Sequence, residues 1–216
     1  MLISFSCENI LSFKSNQYLS LIATNKKKDN ILPNNYFSIN EKENLLKSTL
    51  LFGANGSGKT NLLACLSSMY NIVIHSLEKL NNKKLNYLPP FLLDHESRNK
   101  DSEYEIEFYA KNKIKYRYGF SLKNKNIEEE WFYYTPKTRE TLLFHRKKNK
   151  IEINKTFDEA SKFIDDNNEI LKTKETVPFL SVLASFNGKH SSAIIDCFEA
   201  LNFFNNNIAQ HDLKPT

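Results

Sequence analysis

Residues 49 to 62 read Thr49-Leu50-Leu51-Phe52-Gly53-Ala54-Asn55-Gly56-Ser57-Gly58-Lys59-Thr60-Asn61-Leu62, and how this stretch is read decides the rest. Gly53 to Thr60 fit the spelling G-x-x-x-x-G-K-[ST], a loop built to wrap an anion. The residue types follow from that task. Glycines let the backbone turn tightly and aim its N–H groups inward, at the positive end of a helix. A lysine at the seventh position reaches the terminal phosphates, and the threonine after it offers a hydroxyl to Mg²⁺. The chain has 5 glycines in all, and Gly53, Gly56 and Gly58 are three of them. A glycine-rich turn that only capped an ordinary helix would leave that concentration unexplained.

The flanks support the same reading. Thr49-Leu50-Leu51-Phe52 is a short apolar run suited to a buried strand. From Lys59 to about Leu80, Leu62, Leu63, Leu66, Met69, Tyr70, Val73, Ile74 and Leu77 recur at the spacing of an amphipathic helix, which the polar run Asn81-Asn82-Lys83-Lys84 ends. Strand, loop and helix therefore stand in the order that phosphate binding needs. The expected nucleotide-binding residues are Gly53, Ala54, Asn55, Gly56, Ser57, Gly58, Lys59, Thr60 and Asn61. Thr60 is the expected ligand of a Mg²⁺ bound with the phosphates of a nucleotide, and no residue is assigned a catalytic role. Such a loop reads phosphates and leaves the base unspecified.

On the N-terminal side, residues 2 to 13 should begin with a strand, and Gln17 to Ile22 should pair with it as a hairpin. A polar loop, Thr24 to Asn30, and a weak strand around Tyr36 to Ile39 follow. On the C-terminal side, Pro89-Pro90 enforces extended chain before Phe91-Leu92-Leu93. Residues 103 to 153 carry the period of two that marks half-buried antiparallel strands. Tyr104, Ile106 and Phe108 alternate with Glu103, Glu105 and Glu107, and Tyr116, Tyr118, Phe120 and Leu122 alternate with Lys115, Arg117, Gly119 and Ser121. The pattern continues through Ile127 to Tyr134, Thr141 to Phe144 and Ile151 to Ile153, a meander of about five strands. The glutamate row and the Lys/Arg row should pair across strands. Beyond residue 155, helices are expected at Phe157 to Ile164, Phe179 to Phe186 and Ser192 to Phe204.

Composition bounds the class. With 216 residues, 40% hydrophobic and 12% aromatic, the chain can build a sizeable core, and no apolar run approaches a membrane span. The N-terminus lacks the features of a signal peptide, so a cytoplasmic location is expected. Cys7, Cys65 and Cys197 are odd in number and far apart, which points to reduced, buried thiols. His75, His95, His145, His190 and His211 show no zinc-motif spacing. The net charge of +5 rests on lysines scattered among asparagines, with only Arg98, Arg117, Arg139 and Arg146 as arginines. The clusters Lys26-Lys27-Lys28 and Arg146-Lys147-Lys148 read as solvated turns, so nucleic-acid contact is not indicated by charge.

Three facts narrow the phosphate-loop families. A hairpin and a third extended segment precede the loop, where nucleotide kinases and small GTPases place one strand. No Asn-Lys is followed by Asp two residues after the Lys, as a guanine reader requires, and Asn55-Gly56-Ser57-Gly58-Lys59-Thr60 is the spelling favoured by ABC-type ATPases. With Ile3-Ser4-Phe5, Asn9-Ile10-Leu11-Ser12-Phe13, Phe91-Leu92-Leu93-Asp94, Glu105-Ile106-Glu107-Phe108, Tyr116 to Phe120, Glu129-Glu130-Trp131 and residues 179 to 187 beside it, the chain resembles the RecF/SMC-like branch of ABC ATPases. Within that branch it resembles the AAA-family defence ATPases related to OLD and abortive-infection proteins.

That resemblance implies an α/β fold, a P-loop NTPase of ABC-ATPase type with a mixed sheet around Walker A, an antiparallel β meander and C-terminal helices, and it implies ATP and Mg²⁺ as the cofactors. Residues 1–216 would be the N-terminal part of one such domain: 1–80 carrying the first strands, Walker A and its helix, 81–155 the antiparallel region, and 156–216 the start of a helical region. Phe163-Ile164-Asp165-Asp166 and Ala193-Ile194-Ile195-Asp196 are too short for a Walker B strand, and neither Gln17 nor Gln210 suits a Mg²⁺-sensing glutamine. Hydrolysis is therefore expected only with elements from a missing segment or from a partner, in a head-to-tail homodimer or with a hetero-partner. An anti-phage or DNA-maintenance role follows by the same resemblance. The alternative is a non-catalytic, nucleotide-responsive module that dimerises with an effector.

Overall fold

The computed structural model describes residues 1–23, 33–40, 43–77, 85, 87–171 and 173–203. The expectations for Thr24 to Asn30, for the helix beyond Leu77, for Phe204, and for Gln210 and His211 lie outside them. The element order is β1 (Leu2–Glu8), β2 (Gln17–Ser20), β3 (Tyr36–Ser38), β4 (Asn44–Leu46), α1 (Lys59–His75), β5 (Ser102–Tyr109), β6 (Lys115–Lys123), β7 (Asn126–Thr135), β8 (Thr141–Lys147), β9 (Lys150–Ile153), α2 (Phe179–Ser185) and α3 (Lys189–Glu199). Seven strands form one sheet in the order β2-β1-β5-β6-β7-β8-β9, and β3 pairs with β4 apart from it.

Alternation in the sequence becomes two faces. On the inner face Phe5, Tyr104, Ile106, Phe108, Tyr118, Phe120, Phe132 and Phe144 are buried and join Cys65, Leu66, Met69, Ile72 and Val73 of α1 and Phe179, Leu183, Ile194 and Phe198 of α2 and α3 in one core. Ser68 Oγ lies 3.3 Å from the Tyr104 hydroxyl, tying α1 to β5. On the outer face the charged rows pair as expected, Arg117 with Glu105 at 2.8 Å and Lys115 with Glu107 at 3.2 Å. The Arg117 guanidinium also lies 4.2 Å from the Tyr133 ring centre. Gly119 is required there, because a Cβ would stand 2.5 Å from the Trp131 ring.

The structure corrects several expectations. Every strand pairing is antiparallel among the described residues, so the mixed sheet around the phosphate loop is absent there. Thr49-Leu50-Leu51-Phe52 forms no strand, and Phe52 is 87% exposed. An apolar run alone cannot hold an extended conformation; it needs neighbours to take its backbone N–H and C=O groups. The buried face of α1 centres on Cys65, Leu66, Met69, Ile72 and Val73, and Leu63 is exposed. The segment Asp158–Phe163 is a 3₁₀ helix. The last helix starts at Lys189, before the expected Ser192, because Glu159 accepts hydrogen bonds from the His190 and Ser191 amides and the Ser191 hydroxyl. Cys7 and Cys65 are buried, whereas Cys197 is half-buried. Among the described residues no helix is long and apolar enough to cross a membrane.

Candidate functional site

The loop from Gly53 to Gly58 leads directly into α1. Gly56 (φ 80°) and Gly58 (φ 94°) sit in the left-handed region, which glycine enters without steric cost. Gly58 is the N-cap, no side chain caps the helix, and the first intrahelical bond is Leu62 N–H to the Gly58 carbonyl at 3.0 Å. The amides of Gly58, Lys59, Thr60 and Asn61 are thus the donors that every α-helix leaves unpaired at its start. They carry the positive end of the helix dipole into the mouth of the loop.

Lys59 folds back over this loop. Its Nζ donates to the Gly53 and Ala54 carbonyls, each at 2.8 Å, and approaches Ser57 Oγ at 3.5 Å. The ammonium is held where an anion entering the loop would meet it. Around Gly56 a Cβ would meet nothing within 4 Å, so that rim is open. Thr60 is exposed at the second helical position, free to offer its hydroxyl to a cation. Open glycine backbone, unpaired amides and a positioned ammonium fit a polyphosphate. A hydroxyl and phosphate oxygens fit Mg²⁺, which keeps several waters as ligands. Among the described residues no group of three or more His, Cys, Asp or Glu side chains could hold a metal by itself.

The structure also shows what braces the loop. The turn Asn9 to Phe13 closes on itself through Ile10 N–H to Phe13 O and Phe13 N–H to Ile10 O, both 2.9 Å. From it, Ser12 Oγ accepts a hydrogen bond from Asn61 Nδ2 at 2.8 Å. A Cβ on Gly58 would stand 2.6 Å from Phe13 Cε1, so the Phe13 ring packs directly on the cap. Asn9 in turn is fixed from behind: its Nδ2 donates to the carbonyls of Ser97 (2.8 Å) and Lys100 (3.0 Å), and its Oδ1 accepts from Phe91 N–H at 3.3 Å. Asp94 completes the brace by pairing with Lys14 at 3.1 Å. Its carboxyl is pulled down to about 2, mainly by the Ser97 hydroxyl and amide and then by Lys14. In the sequence the turn carries a likeness to a family pattern, but its contacts with Gly58 and Asn61 join residues some fifty positions apart and have no local signature.

The two acidic candidates for a Walker B strand do other work. Asp165 Oδ1 accepts from the Asn167 and Glu169 amides and closes a turn, and Asp196 lies on α3, paired with Lys111 at 2.9 Å. A different buried acid organises the helices. Glu130, fully buried, accepts hydrogen bonds from the first amides of α2, Phe179 (2.7 Å) and Leu180 (2.9 Å), from the Tyr118 hydroxyl (3.0 Å) and from Arg146 (3.3 Å). Burial raises its pKa, and Arg146 and these donors oppose the rise. Arg146, expected in a solvated turn, is 1% exposed and also donates to the Val177 and Lys148 carbonyls. Its place on β8 explains the difference: it shares the inward parity of Phe144.

Comparison with known proteins adds one finding. A family model described as "AAA domain, putative AbiEii toxin, Type IV TA system" matches residues 48–208, a span that begins just before the phosphate loop. No curated protein and no solved structure matches the chain.

Proposed function

The chain belongs to this AAA-domain family of P-loop ATPases, and from that premise we propose that it binds ATP·Mg²⁺ through Gly53 to Asn61, with Lys59 on the terminal phosphates and Thr60 on the metal. The observation that carries the reading is the position of Lys59 over a glycine loop whose following amides have no partner among the described residues. In this reading the ammonium trades two carbonyl partners for phosphate oxygens when nucleotide enters. The exchange favours a strongly charged ligand, because the ammonium gives up contacts with neutral carbonyl dipoles for a direct ion pair with phosphate oxygens.

The finer assignment rests on the resemblance to RecF/SMC-like ABC ATPases. Residues 1–216 then form the N-terminal part of one ATPase domain, and a Walker B acid and a signature element come from a further segment or from a second subunit set head to tail. The exposed run Leu50 to Phe52 supports this reading, since it is an apolar stretch beside the phosphate loop with no strand partner among the described residues. The chain by itself would bind nucleotide and turn it over poorly, in service of an anti-phage or DNA-maintenance system.

The test is equilibrium binding of a fluorescent ATP analogue with Mg²⁺ to the wild-type chain and to Lys59→Ala. Saturable binding that Lys59→Ala weakens by at least tenfold is the expected result. Equal affinity in the two proteins would overturn the assignment of the loop.

A further inference from the structure

The three helices pack on the inner face of the seven-stranded sheet, and among the described residues no helix covers the outer one. The β3–β4 hairpin reaches only a corner of it, where the loop residue Glu43 accepts a hydrogen bond from the Tyr109 hydroxyl. The sheet is about 29 Å across, six spacings of about 4.8 Å. Near its middle, on β7, lies Trp131, the single tryptophan of the chain.

Trp131 is held in one place. In the strand register it stands between Gly119 and His145, and its ring rests on Gly119, where a Cβ would come within 2.5 Å. Glu105 Oε2 accepts a hydrogen bond from the indole N–H at 2.6 Å and another from Arg117 at 2.8 Å. Arg117 is itself locked by Glu140 at 2.7 and 2.9 Å and lies 4.2 Å from the Tyr133 ring centre. The indole is only partly buried, and among the described residues no ring or cation stacks on it. Rigid tryptophan, tyrosine and arginine side chains near the centre of an uncovered face are the residue types that anchor protein interfaces.

The charge of this face states the partner's chemistry. Lys115, Arg117, Lys123 and Lys147 are each paired with a carboxylate. Glu8, Glu103 and Glu152 have no ion-pair partner among the described residues, against one such cation on this face, Lys150. Glu8 and Glu103 stand directly opposite each other across β1 and β5, an arrangement of like charges that costs stability unless a cation relieves it. The Glu103 carboxyl is pushed above its ordinary range by loss of hydration and then by Glu8, Asp101 and Glu129. The row of Glu8 and Glu103 lies one pleat repeat, about 6.8 Å, from the row of Trp131. An open indole and unpaired carboxylates both favour a cation, and a guanidinium suits the ring best, as Arg117 on Tyr133 already shows. We propose that the outer face of the sheet docks a basic segment of another protein, with one arginine on the Trp131 ring and others against Glu8 and Glu103. A nucleic acid or an anionic lipid surface would meet those carboxylates as like charge.

The probe is hexa-arginine, acetylated and amidated at its ends, titrated into the chain while tryptophan emission is followed. With no second tryptophan the signal reports on this face alone, and a net charge of +5 disfavours a polycation elsewhere on the chain. A saturable change is expected, with hexalysine bound several-fold more weakly. By calorimetry, Trp131→Leu should weaken hexa-arginine roughly two- to fivefold, the size of an exposed cation–π contact. The double variant Glu8→Gln with Glu103→Gln should weaken it about tenfold, or about 1.4 kcal/mol. That variant should also melt at the same temperature or higher, because the facing like charges are gone. No saturable change at millimolar hexa-arginine would overturn the proposal, and so would an affinity unchanged in the double variant. Emission that shifts with protein concentration in the absence of peptide would overturn it in favour of a second copy of the chain. A stronger response to a single-stranded oligonucleotide than to hexa-arginine would overturn it in favour of nucleic acid.

Discussion

The inner face of the sheet and the segment that enters the phosphate loop are both apolar, yet one is finished and the other is not. In the sheet, Phe132 is fully buried, and even the buried charge beside it, Glu130, has four donors. In the entering segment, Leu50 is 76% and Phe52 87% exposed, with no strand pairing among the described residues. A meander satisfies its backbone from its own sequence neighbours, one hairpin after another. A strand that leads into a phosphate loop depends on chain that is distant or on another molecule. The difference separates what this chain stabilises by itself from what it offers for completion.

The largest expected effect breaks the finished side. Glu130→Ala would strip Arg146 of its charge partner in a dry interior and orphan the first two amides of α2. Breaking a buried pair in this way costs roughly 3–5 kcal/mol. Urea unfolding should show that loss, and the double variant Glu130→Ala with Arg146→Met should recover part of it, because the uncompensated charge is gone. A loss below about 0.5 kcal/mol, the range of an ordinary surface substitution, would mean that the pair is solvated and the sheet is less self-contained than its geometry implies.

Much of this finished side was legible in the sequence. The period of two over 103–153 is a local property, and so were the facing rows of glutamate and Lys/Arg. The burial of Glu130 and Arg146 was not legible, because Glu128-Glu129-Glu130 and Arg146-Lys147-Lys148 look like solvated runs. The signal was present all the same: Glu130 lies two residues from Phe132 and Arg146 two from Phe144, so both share the inward parity of a buried aromatic. The glycine turn ending at Gly58 and the start of α1 at Lys59 were legible from spelling alone. The missing strand at 49–52 was not, since apolar composition names a candidate strand but cannot supply its neighbours. The brace from Ser12 and Phe13 was not either, because it depends on how the N-terminal turn meets α1 in three dimensions.

A smaller effect probes the junction between the two regions. Gly58→Ala places a Cβ at a backbone angle of φ 94° and 2.6 Å from Phe13 Cε1. The left-handed conformation alone costs roughly 1–2 kcal/mol for an L-residue, and the Phe13 ring must also give way. Gly56→Ala pays the backbone cost at φ 80° without any such contact. Gly58→Ala should therefore be the more destabilised of the two in thermal unfolding and should bind nucleotide more weakly. Equal effects would show that Phe13 does not press on the cap, and the brace would lose its physical basis.

The smallest expected effect belongs to the unfinished side. Phe52→Ser removes a large apolar side chain, a change that costs several kcal/mol in a core, but here the ring is already 87% exposed. The chain alone should lose no more than about 0.5 kcal/mol, the range of ordinary surface substitutions. The same variant should gain solubility, because an exposed apolar segment with no strand partner among the described residues invites edge-to-edge association. Measuring unfolding at several protein concentrations sharpens the comparison. A cost that grows with concentration would mean that copies of the chain bury Phe52 against one another. A cost above about 1 kcal/mol at every concentration would mean that the segment is already paired within one chain, since that exceeds the usual range for an exposed side chain of about 0.5 kcal/mol, and the contrast with the sheet would then fail.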